Sequence, residues 1–216
     1  MDFMGLLIAL VGVAIILAVS EVLWRTSTMR GESARKFVHI GVGTFVAFWP
    51  YFMSWQQIQL MSLAFFIVVL VSLKKNVFHA IHNVQRKTWG ELCFPIGIGL
   101  SALFMPQPIV FTAAILHLSL ADGLAAVVGK QYGVLHKYTI RNYTKTLAGT
   151  LMFFVISLLI VSGTVIVSGT VVTWPLVPLL IWLPAAATAV ENVSLAGTDN
   201  IFVPLLIILV LQTVIV

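Results

Sequence analysis

The chain has 216 residues, of which 60% are hydrophobic and only 9% are charged, and its mean hydropathy is +1.08. So little polar surface excludes a soluble globular domain and predicts an integral membrane protein of the all-α class, a polytopic helical bundle. The net charge of +5 fits membrane topology and contact with anionic membrane lipids. No nucleic-acid partner is expected, because the sequence contains no soluble basic module.

The apolar runs predict about eight transmembrane helices, since a helix needs about 20 apolar residues to cross about 30 Å of hydrocarbon. In chain order these spans are Phe3–Trp24, Phe37–Tyr51, Ile58–Leu73, Leu92–Met105, Ile109–Val128, Leu147–Val167, Val172–Val190 and Ile201–Val216. No segment left over is long enough for a separate soluble domain. Residues 1–216 are therefore expected to form a single integral-membrane domain.

The positive charges predict the orientation of these spans. All 12 Lys and Arg residues fall in three patches, which follow the first, third and fifth spans, and the connections at 50–57, 105–108 and 168–175 contain none. Because loops rich in Lys and Arg stay in the cytoplasm, both termini are expected on the non-cytosolic side. All acids except Asp2 map to the cytosolic half. We therefore expect a multi-pass protein of a prokaryotic cell membrane with an active site that faces the cytoplasm.

The second span begins with a basic segment that has two possible roles. Arg35 and His39 are four residues apart and share a helix face, with Lys36 beside them. They are expected either to hold an anionic or hydroxyl group of a substrate or to anchor the span at the interface. Glu91 starts the fourth span, either as a capping carboxylate or as part of the same site.

Asp122 is an acid inside an apolar helix. An ionised group there costs roughly 2.5–3.5 kcal/mol on insertion scales, which makes it a functional candidate. One interpretation is a magnesium ligand or a base, because this ion prefers one or two carboxylates together with substrate phosphates. The other is a structural acid that a Lys of a neighbouring span neutralises.

The segments after Asp122 offer groups that bind phosphate. Gly129 and Gly133 flank Lys130 at a helix end, and they either pack two helices closely or let backbone amides approach phosphates. Lys145 and Thr146 precede the sixth span, as a phosphate site or as an anchor with a threonine cap. The GxxxxGK[ST] spacing of a P-loop is absent.

The last predicted cytosolic loop carries acids without any Lys or Arg. Glu191 and Asp199 are eight residues apart, and Gly197 between them would let the loop fold back. The loop either completes a metal site with Asp122 or simply exposes solvated acids.

Five motifs follow one another along the chain. They are RKFVH (Arg35–His39), TWGELCFPIGIG around Glu91, DGLAAVVGKQYG (Asp122–Gly133), KTLAGT (Lys145–Thr150) and ENVSLAGTDNIFVP (Glu191–Pro204). The ordered set resembles the CTP-dependent polyprenol kinase family, which includes phytol, farnesol and dolichol kinases. The resemblance implies CTP as phosphoryl donor, a divalent cation such as magnesium, and an isoprenoid alcohol dissolved in the membrane as acceptor. One departure is that Leu147-Ala148 replaces the acid that relatives often carry after the KS or KT pair.

The hypothesis is therefore a phosphotransferase with an alcohol as acceptor. The expected catalytic residues are Asp122, Lys145, Glu191 and Asp199, and the expected magnesium ligands are Asp122, Glu191 and Asp199. The expected nucleotide-binding residues are Gly129, Lys130, Gly133, Lys145, Thr146 and Asn200, and the expected substrate-binding residues are Arg35, Lys36, His39 and Glu91.

Three alternatives remain open at this stage. Phosphatidate cytidylyltransferases share part of the D…G…G…KT pattern, but their Gly-His-Gly-Gly run is absent here, which favours the kinase. A CTP-dependent diacylglycerol kinase differs only in its acceptor. A small lipid transporter is the non-enzymatic alternative.

Overall fold

The computed structural model of the protein describes residues 3–26, 28, 31–75, 89–134, 136–141, 143–170 and 177–215. Within these ranges the chain is mostly helical. The helices are α1 (Phe3–Arg25), α2 (Glu32–Ala47), α3 (Trp55–Lys75), α4 (Gly90–Leu103), α5 (Pro108–Leu116), α6 (Asp122–Tyr132), α7 (Leu147–Val167), α8 (Val177–Val193) and α9 (Asp199–Leu211). A short 3-10 turn, Trp49–Tyr51, follows α2, and a π-helical turn, His117–Ala121, joins α5 to α6.

Four helical stretches in the described ranges are long and apolar enough to cross a membrane. They are α1, the segment Trp55–Leu73 of α3, the continuous segment Pro108–Tyr132, and α7. The helices α4, α8 and α9 are also apolar but shorter. The predicted class of helical membrane protein is therefore confirmed, whereas the number of eight spans and the placement of both termini remain predictions.

The segment Pro108–Tyr132 is the central helix of the bundle. It is 67% buried over its most apolar window, against 17% for α1, which therefore lies at the outside. Two apolar cores flank it. One is built from α1 to α5, and the other from α5 to α9. Because Asp122 lies on this central helix, its carboxylate is surrounded by other helices rather than by lipid.

The π-helical turn places Asp122 and frees a backbone carbonyl beside it. The Asp122 N–H bonds to the His117 carbonyl instead of the Leu118 carbonyl that a regular α-helix would use. The buried ring of His117 braces the turn, since Nδ1 lies 2.7 Å from the Ala113 carbonyl and Nε2 lies 2.8 Å from Ser157 Oγ on α7. The freed Leu118 carbonyl is then available to a neighbouring helix.

One short hairpin interrupts the otherwise helical chain, within the positive patch that follows the fifth predicted span. Strands β1 (Lys137–Ile140) and β2 (Tyr143–Thr146) form an antiparallel hairpin between α6 and α7. Both strands contain Tyr and Thr, and the first also contains Ile; these residues favour extended backbone. Arg141 at the turn has a positive φ of 45°. Tyr138 pairs directly with Lys145, so both side chains lie on the same face of the hairpin.

Candidate active site

One large cavity, about 910 Å³ in volume, lies where the ends of these helices and the hairpin meet. Its lining includes every residue that the sequence predicted for a site except Gly133. These residues come from α2, α4, α6, the hairpin, and the junction of α8 with α9. Residues that are far apart in the chain thus meet in one space.

Three carboxylates form the centre of the cavity. One oxygen each from Asp122, Glu191 and Asp199 lies within 4.8 Å of the others. Asn200 adds an amide, whose Nδ2 donates to the Gly90 carbonyl over 3.2 Å, while its buried Oδ1 has no hydrogen-bond partner among the described residues. A set of carboxylate and amide oxygens suits a hard divalent cation such as magnesium. The residues present therefore fit the predicted ion.

Asp122 forms an ion pair with Lys36 of α2. Lys36 Nζ lies 2.6 Å from Asp122 Oδ2, and both side chains are mostly buried. The structure therefore contains the neutralising Lys that the sequence left open as an alternative. The same acid also belongs to the carboxylate cluster, so the structural and the functional interpretation apply together. The ammonium of Lys36 is engaged by Asp122, and a direct contact of Lys36 with substrate remains a prediction.

His39 supports the same carboxylate. Its Nε2 lies 2.8 Å from the Leu118 carbonyl and 3.2 Å from Asp122 Oδ2. Because a carbonyl oxygen can only accept a hydrogen bond, Nε2 must carry a proton and donate it. His39 therefore contacts both the π-helical turn and the Asp122 carboxylate. This contact fixes the position of the acid relative to α2.

Lys145 pairs with Glu191, as Lys36 pairs with Asp122. Its ammonium contacts Glu191 Oε1 and donates to the Glu191 backbone carbonyl over 3.1 Å. Two lysines thus compensate two of the three acids. In the part of the chain that the structure describes, no ion pair joins Asp199 to a cationic side chain. The oxygens of Asp199 are consequently the most available of the three to a cation.

The glycines after Asp122 serve close helix packing. A Cβ atom on Gly129 would lie 2.7 Å from Thr146 Oγ1, and one on Gly149 would lie 2.9 Å from the Ala125 carbonyl. Thr146 caps α7 by accepting a hydrogen bond from the Gly149 N–H over 3.1 Å. The packing and capping interpretations are therefore present in the structure. Contact of Gly129, Lys130 or Thr146 with a nucleotide remains a prediction, and Gly133 lies off the cavity.

The loop before α9 folds back as its sequence predicted. Ala196 and Gly197 both have positive φ, 54° and 95°, and the Trp89 N–H donates to the Ala196 carbonyl over 2.9 Å. A Cβ atom on Gly197 would lie 2.3 Å from the Gly90 Cα. This close approach holds the loop against the start of α4 and brings Asp199 and Glu91 to the same cavity.

Sequence reasoning missed a polar network beside Glu191. The Tyr138 hydroxyl donates to Asn192 Oδ1 over 2.6 Å and contacts the Thr150 hydroxyl, which itself lies 3.3 Å from Asn192 Oδ1. Tyr138 reaches this position only because the hairpin places it on the face of Lys145. An alternating Tyr-Thr pattern on both sides of Arg141 was the one available signal.

The fold and the cavity define a helical membrane protein with an acidic, oxygen-lined centre next to basic side chains. A curated relative described as phytol kinase, from the cyanobacterium Synechocystis sp., is 30% identical over 208 residues, which cover 93% of this chain and 86% of the relative. No protein-family profile matches the chain, and no solved structure matches it.

The chain therefore belongs to the phytol kinase family, as its motifs predicted. It is an enzyme that transfers a phosphoryl group from a nucleotide donor to an alcohol acceptor. The expected enzyme class is confirmed, and the transporter alternative is set aside.

Proposed function

We propose that the protein phosphorylates the hydroxyl of a membrane-dissolved isoprenoid alcohol with CTP, at the cytosolic face, and releases CDP. The acceptor would be phytol, farnesol, geranylgeraniol or a longer polyprenol. The observation that carries the proposal is the cluster of Asp122, Glu191 and Asp199 oxygens within 4.8 Å, inside a cavity bordered by basic side chains. Family membership supports an alcohol acceptor, because the curated relative is a phytol kinase.

Phosphoryl transfer depends mostly on positioning and on neutralising charge. Asp122, Glu191 and Asp199 would hold magnesium, which supplies compensation for the negative charge of the β- and γ-phosphates. Lys145 is close enough to the cluster to donate hydrogen bonds to phosphate oxygens from its ammonium group. Arg35 and Lys130, which line the same cavity, add positive charge for the remaining oxygens.

The acceptor hydroxyl must lose its proton as the new bond forms. Its oxygen bonds to the γ-phosphorus, the bond from that phosphorus to the bridging oxygen of the β-phosphate breaks, and CDP leaves. A carboxylate of the cluster, that of Asp122 or Glu191, accepts the hydroxyl proton. Lys36 and His39 keep Asp122 in position during this step, because both contact its Oδ2.

The test is a matrix of ATP, CTP, GTP and UTP against several lipid alcohols, with purified protein in lipid. We expect CTP-dependent formation of an isoprenyl monophosphate together with CDP. Asp122→Asn should lower the rate by about 10²–10³-fold, the range found when one preorganised electrostatic group is removed. The matched control is Glu21→Gln, which removes an acid that pairs with Arg25 on α1 and does not line the cavity.

Each contrary result has a distinct meaning. Release of pyrophosphate instead of CDP would identify cytidylyl transfer. Phosphorylation of diacylglycerol alone would identify the other kinase alternative, and a preference for ATP would contradict the CTP assignment.

A further inference from the structure

The cavity extends beyond the charged centre into an apolar arm. The six side chains that define the arm come from four helices: Val13 and Leu17 on α1, Val42 on α2, Phe65 and Val69 on α3, and Phe94 on α4. This arm is continuous with the space that contains the carboxylate cluster.

The polarity of the wall changes along one face of α2. Arg35, Val38, His39 and Val42 all line the cavity, and their spacing of three, four and seven residues places them on one helix face. The charged and polar members lie near the start of the helix, and the last member is a buried valine. A ligand that follows this face needs a polar head and an apolar body.

Helix α3 presents an apolar face to the same arm. Four residues of α3 line the cavity with the same helical spacing, the apolar Phe65, Val68 and Val69 and the polar Ser72. They extend over seven residues (72 − 65), or about 10 Å at 1.5 Å per residue. Behind Phe65 lies the fully buried Trp49, with its ring centroid 5.8 Å away. Phe65 is the lining residue nearest the start of α3, so the Phe65–Trp49 pair would close the arm at that end.

The arm also has a side that faces lipid. Helix α1 packs against α2, and α3 packs against α4, so the arm occupies the cleft between these two helix pairs. Val68, the neighbour of the arm residue Val69, lines the cavity and is 49% exposed. Since the outer surface of a membrane bundle is in contact with lipid, an apolar chain can pass from the bilayer into the arm without crossing water.

We infer that this arm binds the hydrocarbon chain of the acceptor, that it takes one chain, and that Phe65 and Val69 set the length it accommodates. The inference rests on the proposed function, because the reacting hydroxyl must lie at the carboxylate cluster. It commits to a single-chain alcohol rather than a diacylglycerol, since the valine, leucine and phenylalanine side chains that line the cavity in the described part of the chain, apart from Val134, all lie on the four helices α1 to α4.

The direct test replaces a small side chain that lines the arm with a bulky one. Val69→Trp should lower kcat/KM for a twenty-carbon isoprenoid alcohol by at least about tenfold, because even one extra methylene in a hydrophobic pocket has an effect of that order. Turnover of a five-carbon prenol and the KM for CTP should stay near those of the unmodified protein. The matched control is Val71→Trp, two residues along α3, where the side chain is exposed and does not line the cavity.

A second variant guards against misfolding of the first. Phe65→Ala should lengthen the arm and shift the preference, as a ratio of kcat/KM values, towards alcohols longer than the twenty-carbon one. Equal losses for five-carbon and twenty-carbon alcohols in Val69→Trp, or no loss for either alcohol in a folded variant, would overturn the assignment. So would equally efficient phosphorylation of diacylglycerol.

A binding measurement separates this inference from the proposed function. A geranylgeraniol analogue with a photoreactive group at its tail should cross-link to peptides of α1 and α3 that contain Val13, Leu17, Phe65 or Val69. Cross-links there without any phosphorylated product would support binding of the hydrocarbon chain in the arm. They would contradict the proposal that the isoprenoid alcohol is the acceptor of the kinase. Product formation with cross-links elsewhere would retain the kinase and overturn the arm.

Discussion

Asp122 is held by two side chains of α2, and this arrangement has an energetic consequence. Lys36 and His39 both contact Asp122 Oδ2 in a region with little access to water. Two charges buried together stabilise each other, but one of them left alone is strongly unfavourable. Stability and catalysis therefore depend on Asp122 for different reasons and can be separated by mutation.

The first prediction separates them with a double variant. Lys36→Met should lower the free energy of unfolding by about 3–5 kcal/mol, the range for one partner lost from a buried ion pair. The double variant Lys36→Met with Asp122→Asn should recover much of that loss, because no unpaired charge remains, yet keep the low transfer rate expected for Asp122→Asn. Thermal unfolding in detergent, combined with the transfer assay, measures both quantities. A double variant no more stable than Lys36→Met would contradict the ion-pair argument.

The second prediction concerns the network that sequence reasoning missed. Tyr138→Phe removes a hydroxyl that contacts Asn192 and Thr150, next to Glu191. We expect a loss of about 0.5–1.5 kcal/mol in the free energy of unfolding, the usual contribution of a hydrogen bond. Tyr132→Phe is the matched control, because Tyr132 is exposed and does not line the cavity. Equal unfolding temperatures for the two variants would show that the network contributes nothing to stability.

At the scale of elements, α6 and α7 pack so closely that a larger side chain does not fit between them. The glycines Gly129 and Gly149 face each other across it, with a Cβ on Gly129 only 3.3 Å from the Gly149 Cα. Because α6 carries Asp122 and the hairpin leads into α7, this contact sets the distance between the acid and Lys145. A wider contact would therefore disturb the site even though neither glycine carries a functional group.

The third prediction uses two glycines of the same helix. Gly149→Ala should destabilise the protein by about 1–3 kcal/mol, as overpacking does, and should lower activity by moving the hairpin away from α6. Gly163→Ala on α7 is the control, since its Cβ would meet no atom within 4 Å. That change should be neutral or slightly stabilising, because Ala favours a helix over Gly. Unfolding curves and kcat values, measured for both variants, test these expected changes in stability and activity.

The elements differ in how far the sequence could predict them. The apolar run Leu147–Val167 forms a helix with its predicted bounds, because its composition is apolar from end to end. By contrast, α2 begins at Glu32, five residues before the predicted Phe37, because polar residues form its first turn. The hairpin could not be predicted from an apolar pattern, since its strands are four residues long and partly exposed. The π-helical turn depends on the contacts of His117 with Ser157 and of His39 with Leu118. Such contacts exist only after the helices have packed.

The site shows the same division. The meeting of Asp122, Glu191 and Asp199 was predicted as one of two alternatives, because the charge pattern places all three acids on the same side of the membrane. The lysine partners of Asp122 and Glu191 were not predicted. Sequence alone cannot say that Lys36 faces Asp122 while Lys145 faces Glu191, since this depends on helix rotation and on the hairpin.

At the scale of the whole molecule, the fourth prediction concerns orientation in the membrane. The sequence contains one cysteine, Cys93, so Cys93→Ala gives a cysteine-free background. Ser33→Cys, at the start of α2, should react with a membrane-impermeant maleimide only after cells are permeabilised. Thr213→Cys, after α9, should react in intact cells, because the charge pattern places the C-terminus outside. The opposite labelling pattern would reverse the predicted orientation, and the Cys93→Ala protein controls for background labelling.

The peripheral position of α1 has a consequence for how the enzyme experiences its acceptor. This helix is buried over only 17% of its most apolar window and forms one wall of the cleft between the two helix pairs. An alcohol that enters the cleft from the bilayer beside α1 is dissolved in the membrane and not in the water. Its effective concentration is therefore its mole fraction in the bilayer. Diluting the alcohol with inert phospholipid should slow turnover even when the amount per millilitre is constant, whereas adding buffer with the same CTP concentration should leave the rate per enzyme unchanged.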